Sequence, residues 1–356
     1  MPRQARLDAP GLLQHVMARG IERRKIFRNN KDRKSFLDRL AIILEETQTQ
    51  CYAWSLIPNH FHLLLRTGTT PLSKVMRRLM TGYAVTFNKC HKRSGHLFQN
   101  RYKSVICEEE PYLMELIRYI HLNPLRAKVV KDLKELDKYP WTGHSTLLEK
   151  RKDPLIPKQP DKPNKLNRLN KPEASLAEKT IEDVLLHFAD TKRIAHRRYR
   201  KFVEKGIGQG KRPEFQGGGL VRSAGGNKAG LLGRKKEERE KGDARILGSG
   251  HFVANVMKDA NEILEKRAKF DISLDELISR TCAKFEIRVK DLLSKSRKRQ
   301  LSQARGVVCY LAVDELGYSG DDVARNLRIS GRGVSDCRER GKKILDKAGI
   351  IGEYLA

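Results

Sequence analysis

Strand-like and helix-like segments alternate over the first 145 residues, and this alternation restricts the fold more than any other feature of the chain. The pattern predicts four strands, at residues 12–19, 52–57, 60–66 and 98–106. It predicts amphipathic helices between and after them, at residues 31–46, 71–93 and 111–122. Strands that are separated by helices over short links form a sheet covered by helices. The sequence therefore predicts an α+β domain over residues 1–148.

The rest of the chain divides into two further regions. With 356 residues, the chain is long enough for two or three domains. Residues 149–250 are rich in Pro, Lys, Asn and Gly, which is typical of a basic linker and low-complexity region, and they hold one short helical segment near residues 181–204. Residues 251–356 return to helical periodicity, which predicts an all-α C-terminal domain.

The chain is strongly basic. It carries 73 Lys and Arg against 43 Asp and Glu, a formal net charge of +30. The excess is +13 over residues 1–150, +12 over residues 151–250 and +5 over residues 251–356. A surplus of this size exceeds the ~2–8 charges that keep a small domain soluble. It indicates a polyanionic partner, and nucleic acid is the commonest one.

Apolar segments and cysteines indicate the cellular compartment. The longest apolar stretch, residues 306–313, is far shorter than the ~18 residues that span a bilayer. The first 20 residues hold no uninterrupted apolar segment, so we expect no signal peptide, no membrane and a cytoplasmic, nucleoid-associated protein. The six cysteines have no Cys-x-x-Cys spacing, which argues against a disulfide framework and against a zinc site.

Two histidines stand two residues apart in the third predicted strand, at His60 and His62. Residues i and i+2 of a strand point to the same side, so both imidazoles would project together while Phe61 and Leu63 enter the core. Two adjacent imidazoles are a ready pair of metal ligands. Paired histidines also occur by chance on exposed strands, so the motif alone leaves both interpretations open.

A tyrosine on the third predicted helix is a candidate nucleophile. Tyr119 and Asn123 lie four residues apart and share one face of the helix. A tyrosine hydroxyl beside a divalent cation can attack a phosphodiester, which makes a covalent phosphotyrosine and releases a 3′-hydroxyl. The helix alone also fits a structural interpretation, in which Tyr119 packs at its rim and Asn123 caps the next turn.

Several motifs occur together in an order typical of one family. They are His60-Phe61-His62, then Gly95-His96-Leu97-Phe98-Gln99-Asn100-Arg101-Tyr102, then Tyr119 with Asn123-Pro124-Leu125-Arg126-Ala127. With the strand and helix order around them, residues 8–145 resemble the single-tyrosine HUH transposases, and among these the REP-associated tyrosine transposases. The resemblance implies a ferredoxin-like antiparallel sheet with helices packed on it.

The resemblance also implies a site and its cofactor. His60 and His62 would bind Mg²⁺ or Mn²⁺, and Tyr119 would be the nucleophile that attacks DNA. Asn123 would complete the metal shell, with His121 as the alternative third ligand. Because a phosphotyrosine bond conserves energy, strand joining would need no ATP, in agreement with the lack of a nucleotide-binding loop in the sequence.

The expected substrate is single-stranded DNA beside a hairpin, since the family acts on folded strands. Three basic residues of the first domain are candidate contacts to the DNA backbone, namely Arg19, Arg101 and Lys103. Relatives include obligate dimers that share active sites and monomers, so the sequence leaves a homodimer open.

The C-terminal helices include a pair with helix-turn-helix spacing. Residues 321–327 would be the supporting helix and residues 331–345 the recognition helix. Short amphipathic helices also build protein-binding bundles, so the pattern alone does not decide between the two. The segment nevertheless resembles the C-terminal DNA-binding domain of the replication initiator DnaA, through Val289, the run Leu292-Leu293-Ser294-Lys295-Ser296-Arg297-Lys298-Arg299, Ala304-Arg305 and Tyr310-Leu311.

This second resemblance implies binding to duplex DNA. In the initiator family the basic loop and the Arg of the Ala-Arg pair contact DNA, which implies Arg297, Lys298, Arg299 and Arg305. Arg332 stands on the predicted recognition helix. The initiator's own target-reading signature is replaced here by Gly331-Arg332-Gly333-Val334-Ser335, so we expect a different target sequence.

The features together predict an enzyme that nicks and joins single-stranded DNA in a metal-dependent reaction, through a 5′-phosphotyrosine intermediate. The C-terminal domain would dock it on duplex DNA. Two alternatives remain: a catalytically silent nucleic-acid-binding regulator on the same fold, and a rolling-circle replication initiator. The lack of a helicase or nucleotide-binding segment in the sequence weighs against the larger initiators.

Overall fold

The structure, a computed structural model, divides into two compact units, residues 1–258 and 259–356. It describes residues 7, 9–68, 70–156, 174–210, 212, 215, 243, 245–268, 272–294, 296, 298–316, 318, 320–348 and 354. Of the helices in these ranges, none is long and apolar enough to cross a membrane.

A five-stranded sheet forms the centre of the first unit. Its strands are β1 (Leu13–Arg19), β2 (Gln50–Ile57), β3 (His60–Arg66), β4 (Lys103–Cys107) and β5 (Ile246–Leu247). They lie in the order β2-β3-β1-β4-β5. The first four are joined by antiparallel pairs in the ferredoxin-like order that the sequence predicts. These four strands form the antiparallel sheet that the resemblance implies, and the short β5 adds a parallel pair at β4, so the whole sheet is mixed.

The fourth strand begins five residues later than predicted. Phe98 forms only an isolated bridge with Gly20, and the Gln99 amide donates to the Arg19 carbonyl at 2.9 Å. The chain therefore crosses the end of β1 before it joins the sheet at Lys103. The Phe98 ring packs against the core on the way, with its centroid 6.2 Å from that of Phe61.

Two helices cover one face of the sheet, α1 (Asn30–Thr47) and α2 (Leu72–Cys90). Strand alternation sends Val16 and Phe61 to this face, where they join Phe36 of α1 in a buried core. A capping box fixes the start of α1, because the Asn29 side chain accepts from the backbone of the third helical residue and the reciprocal bond is also present.

A second set of helices covers the other face. They are α3 (Glu109–His121), α4 (Asn123–Arg126), α5 (Leu133–Lys138), α6 (His144–Leu147), α7 (Leu176–Leu186) and α8 (Lys192–Lys205). Leu116 and Ile120 of α3 share one buried core with Val184, Tyr199 and Val203 of α7 and α8. This face therefore depends on side chains from residues far beyond the α+β segment.

The middle of the chain thus differs from the linker that its composition predicts. Where the structure describes residues 149–250, it finds two amphipathic helices in place of one short segment, and the first compact unit extends to residue 258. The apolar residues of both helices recur at helical spacing, which is sufficient to bury one face, and the exposed face of α8 stays basic. The predicted Gly-rich stretch lies mostly outside the described residues.

Tyr199 of α8 ties this region to the first domain through hydrogen bonds. Its hydroxyl lies 2.8 Å from His121 Nδ1 and 2.7 Å from His144 Nδ1. His144 Nε2 donates to Asp137 at 2.9 Å, and Arg200 donates to the same carboxylate at 2.8 Å. Because a carboxylate can only accept, a neutral His144 accepts the Tyr199 proton at Nδ1, and His121 Nδ1 then donates to the tyrosine oxygen.

We expect Tyr199→Phe to lower the free energy of unfolding of the first unit by about 2–4 kcal/mol, because it leaves two buried ring nitrogens without a partner. Urea unfolding followed by tryptophan fluorescence measures this, since both tryptophans, Trp54 and Trp141, lie in this unit. Tyr139→Phe is the control, because that hydroxyl makes one long bond of 3.5 Å. Equal stability of the two variants would contradict the role of Tyr199.

The second unit is helical. The helices that the structure describes after β5 are α9 (Gly250–Ala268), α10 (Leu274–Lys284), α11 (Val289–Leu292), α12 (Arg299–Tyr310), α13 (Gly320–Leu327) and α14 (Gly331–Ala348). A π-helical turn, Leu311–Glu315, follows α12. Val307 and Leu311 pack with Val323 and Val334 in the core. The last two helices are joined by three residues, which confirms the predicted helix-turn-helix.

Helices α12 and α14 approach each other closely at two glycines. A Cβ atom on Gly341 would lie 2.0 Å from the Gly306 carbonyl oxygen, so any side chain there would push the helices apart. The backbone contact therefore holds the recognition helix α14 directly against the central helix of this unit.

Candidate functional site

The histidine pair lies on a central strand of the sheet, on the face covered by α3. The ring centroids of His60 and His62 are 5.2 Å apart, and the ring planes cross at 75°. His62 is buried and His60 is partly buried. β3 has partners on both sides, β2 and β1, so the backbone that carries the two imidazoles is fixed by ladder hydrogen bonds on each edge.

The candidate nucleophile packs against one ring of this pair, that of His62. Helix α3 places the Tyr119 ring centroid 6.3 Å from that of His62, in an edge-to-face arrangement. The predicted tyrosine and histidine pair are therefore brought together by the fold, although they are 57 residues apart along the chain. Tyr119 is 3% exposed.

Three further residues complete the surroundings of Tyr119, and the sequence did not indicate a role for any of them. His15 of β1 has its ring centroid 6.0 Å from that of Tyr119. Phe215 packs edge-to-face on Tyr119 at 5.2 Å. The Arg126 guanidinium lies over the Tyr119 ring at 4.9 Å and donates to the Tyr119 carbonyl at 3.0 Å. The β1–β3 pairing of a ferredoxin-like sheet could have indicated His15, whereas Phe215 gave no signal.

Asn123 stands one turn beyond Tyr119, as predicted. Leu122, between α3 and α4, keeps a right-handed helical conformation, so Pro124 does not divert the chain. Asn123 is 7% exposed, and its Nδ2 has no hydrogen-bond partner among the residues that the structure describes. His121, the alternative ligand, instead binds the Tyr199 hydroxyl in the network at α8, and within the described part of the chain its Nε2 has no partner.

Burial keeps the histidines neutral. Desolvation lowers the pKa of His60 to about 4, and the positive charge of Arg19 adds to the shift. Desolvation also lowers the pKa of His62 well below its usual value, and His15 and His60 lower it further. Neutral imidazoles keep a lone pair for a ligand, so the two rings can bind a cation at neutral pH without first losing a proton.

We expect the first unit to lose stability as the pH falls below about 6.5, the pKa of histidine in an unfolded chain. The pKa is also lowered by burial at His121 and at His144, where Asp137 partly opposes the shift. The unfolded chain thus binds more protons than the folded one. The contribution of these histidines to the free energy of unfolding is fully present above pH 6.5 and declines toward pH 4. The loss is at most about 1.4 kcal/mol per histidine and pH unit.

Urea unfolding at pH 7.5, 6 and 5, followed by tryptophan fluorescence, measures this decline. Asp153 acts in the opposite direction, because burial raises its pKa to about 6. It is one group against four histidines, so the net slope still favours higher pH. A free energy of unfolding that stays constant from pH 7.5 to pH 5 would show that these histidines are not buried as neutral rings.

The donor set fits a divalent cation. Two imidazoles and an amide are borderline and hard ligands of the kind that Mn²⁺ and Mg²⁺ accept together with water. The unpartnered Asn123 amide is consistent with this, because a 180° rotation of the amide puts Oδ1 in the place of Nδ2. Among the described residues no group of three or more His, Cys, Asp and Glu has the arrangement of a metal site. A cation at His60 and His62 would therefore need a further ligand of another kind, and Asn123 is the predicted one.

The predicted basic residues of the first domain lie around this face. Arg19 pairs with His60 across β1 and β3, and its guanidinium donates to Gln99 at 3.0 and 3.2 Å. Lys103 lies on β4 opposite Met17, which is opposite His62 on β3, so the three side chains point to one face. Arg101 is exposed just before β4.

Positive charge is not confined to the histidine face. A groove of about 850 Å³ lies between α1 and α2 on the opposite face. Its lining includes five basic side chains, namely Lys31, Lys34, Arg39, Arg77 and Arg78.

The predicted basic residues of the second unit are in two different environments. Lys298, Arg299 and Arg332 are exposed, at the start of α12 and α14. Arg305 is only 7% exposed and donates to the carbonyls of Leu292, Ser294 and Ser296 at 2.6–2.7 Å. It therefore holds the shape of the basic loop and does not present its charge on the surface. Arg297 lies outside the described residues.

The first unit thus combines a ferredoxin-like sheet, a histidine pair on an interior strand and a tyrosine on the helix that packs over it, as the resemblance to the single-tyrosine HUH transposases implies. Comparison with protein families agrees with this class. Residues 9–123 match the family described as "Transposase IS200 like". Residues 274–330 match the family described as "Bacterial dnaA protein helix-turn-helix". Both resemblances inferred from the sequence are thereby confirmed, each for its own segment.

Comparison with solved structures finds a REP-associated tyrosine transposase bound to a REP hairpin, which is 14% identical to this chain. The likeness has a TM-score of 0.35 and covers 46% of this chain and 96% of that one. Comparison with curated proteins finds no match.

Proposed function

We propose that the first unit nicks and joins single-stranded DNA through a covalent 5′-phosphotyrosine at Tyr119, in a reaction that depends on Mg²⁺ or Mn²⁺. The observation that carries this proposal is the packing of Tyr119 against His62, one of the two paired histidines, at 6.3 Å between ring centroids. The match of residues 9–123 to a transposase family supports it.

Different residues of the chain would carry out different parts of the proposed reaction. The Tyr119 oxygen forms a bond to the scissile phosphorus while the bond to the 3′-oxygen breaks, and the phenol proton leaves to water. Arg126, over the ring, stabilises the negative charge that develops on the tyrosine oxygen. Attack by a 3′-hydroxyl on the phosphotyrosine reverses the step, so the same residues join strands without a nucleotide cofactor.

A divalent cation at this site would be held by His60 and His62, with Asn123 as the third protein ligand. When bound, such a cation polarises the scissile phosphate and offsets charge in its transition state. Arg19 stands beside His60 and would hold the neighbouring phosphate of the substrate strand. Because the Phe215 ring packs on Tyr119, this side chain would have to turn away when DNA enters.

The expected substrate is a DNA hairpin with single-stranded flanks. The basic residues on the histidine face and the basic groove between α1 and α2 support a folded strand that contacts both sides of the domain, at the histidine face and at helices α1 and α2. The second unit would bind neighbouring duplex DNA through its helix-turn-helix, with Lys298, Arg299 and Arg332 as phosphate or base contacts.

We expect an SDS-resistant protein–DNA adduct when the full chain is incubated with Mn²⁺ and a labelled hairpin with single-stranded flanks. Tyr119→Phe and His60→Ala should remove it, because one lacks the nucleophilic oxygen and the other a ligand. Tyr112→Phe is the matched control, since it deletes a hydroxyl two turns earlier on α3 and should retain the adduct. Hairpin binding without any adduct would favour the catalytically silent regulator.

We expect removal of two charges from the basic loop, Lys298→Ala with Arg299→Ala, to weaken duplex binding without loss of adduct formation on short oligonucleotides. The slope of log affinity against log salt should fall by about 1 for each lost phosphate contact. Fluorescence anisotropy with a labelled duplex over a salt series measures it. Lys342→Ala with Lys343→Ala removes the same charge from the far end of α14 and should change the slope less; an equal change would reject the basic loop as the contact.

A further inference from the structure

A chain of hydrogen bonds reaches the histidine pair from the side opposite to the solvent. His15 of β1 is fully buried, and its Nδ1 lies 2.9 Å from the Phe215 carbonyl oxygen. Its Nε2 lies 2.9 Å from His62 Nδ1. The two rings are stacked, with centroids 5.2 Å apart and planes at 25°. His15 thus connects a main-chain carbonyl to one of the two candidate metal ligands.

The chemistry of these atoms fixes where each hydrogen lies. A carbonyl oxygen can only accept, so His15 Nδ1 must donate to Phe215. A neutral imidazole has one N–H, so His15 Nε2 accepts, and the hydrogen between the two rings belongs to His62 Nδ1. The lone pair of His62 is then on Nε2. His62 thus donates to His15, and His15 donates to the main-chain carbonyl.

His60 has an equivalent partner of its own. The Asn59 side chain donates from Nδ2 to the Arg23 carbonyl at 3.2 Å, which fixes the orientation of its amide. Asn59 Oδ1 then faces His60 Nδ1 at 2.7 Å and can only accept. His60 therefore carries its hydrogen on Nδ1 and its lone pair on Nε2, as His62 does. Two unrelated partners, His15 and Asn59, therefore impose the same tautomer on both rings.

We propose that His15 is a positioning residue, which holds His62 in the form that binds a divalent cation through Nε2. The proposal rests on the proposed function, because it takes metal binding to be the reason why the His62 ring carries its hydrogen on Nδ1. Partners of this kind orient ligand imidazoles and raise their basicity, and their loss typically costs about 10–100-fold in metal affinity. It also explains a second way in which the middle of the chain contributes to the site, through the main-chain oxygen of Phe215 as well as through its ring on Tyr119.

The direct test determines which ring nitrogen of His60 and of His62 carries the hydrogen in the metal-free protein. The full chain, labelled with ¹⁵N at histidine, is examined at pH 7.5 by long-range ¹H–¹⁵N correlation spectra, with His60→Gln and His62→Gln used for assignment. We expect Nδ1–H with unprotonated Nε2 at both positions, the form that is less common in free histidine. A His62 ring that carries its hydrogen on Nε2 would overturn the proposal.

The second arm compares two substitutions of His15 in the full chain. A Gln side chain can donate to the Phe215 carbonyl and accept from His62 Nδ1, whereas Phe fills similar space without an acceptor. We expect His15→Phe to weaken Mn²⁺ binding about 10–100-fold, and His15→Gln to restore it to within a few fold of the original chain. Electron paramagnetic resonance of free Mn²⁺ measures the affinity, and tryptophan fluorescence in urea confirms that both variants fold.

The outcomes separate this proposal from the function on which it rests. Equal loss of Mn²⁺ affinity in His15→Gln and His15→Phe would overturn the positioning role and leave the metal-dependent function standing. If the original chain binds no Mn²⁺, the metal-dependent function fails, and the purpose assigned to His15 fails with it, even where the spectra agree. The expected spectra together with rescue by Gln support the proposal.

Discussion

The antiparallel pairing of β1 with β3 is the interaction on which the candidate site depends. These two strands are the interior strands of the antiparallel part of the sheet, and their register sets Met17 opposite His62 and Arg19 opposite His60. Side chains directly opposite each other point to the same face. A slip of one residue would turn the β1 residues to the other face and separate His15 from His62. The buried apolar residues of α1 and α2 on the opposite face oppose such a slip, since it would remove Val16 from the core that they share.

The second requirement is the helical cover of the histidine face. Helix α3 carries Tyr119 on the side that faces the sheet, and α7 and α8 complete the core around it. Their attachment is partly polar, because Tyr199 joins two histidines and Arg118 of α3 packs over the Phe202 ring at 4.3 Å. Gly206, which ends α8, lies where a Cβ atom would meet the Arg118 side chain at 2.6 Å. The basic middle region is thus a structural part of the first unit for as far as the structure describes it.

Basic residues of the second unit have different roles, although they are chemically similar. Arg305 is basic and belongs to the motif shared with the initiator family, yet its guanidinium is occupied by three main-chain carbonyls. A buried guanidinium is favourable only when its donors are satisfied, so this residue stabilises the loop that carries the exposed Lys298 and Arg299. The Gly306–Gly341 contact similarly supports the recognition helix without any contact to DNA.

By itself, the sequence determined the features that follow from local periodicity. It determined the strand and helix order of the first domain, the His60 and His62 pair on one face of a strand, and the final helix-turn-helix, because these depend on side-chain spacing of two or about 3.6 residues. Only the tertiary structure decided what meets that strand from elsewhere. His15 lies 45 residues before His60, Phe215 contributes a carbonyl that every residue type has, and the amphipathic helices after residue 174 stand in a region whose composition is that of a linker. Contacts between distant segments depend on register and packing, and neither can be inferred from the local spacing of side chains. The burial of Arg305 has the same origin, since the sequence shows its charge but not the carbonyls that surround it.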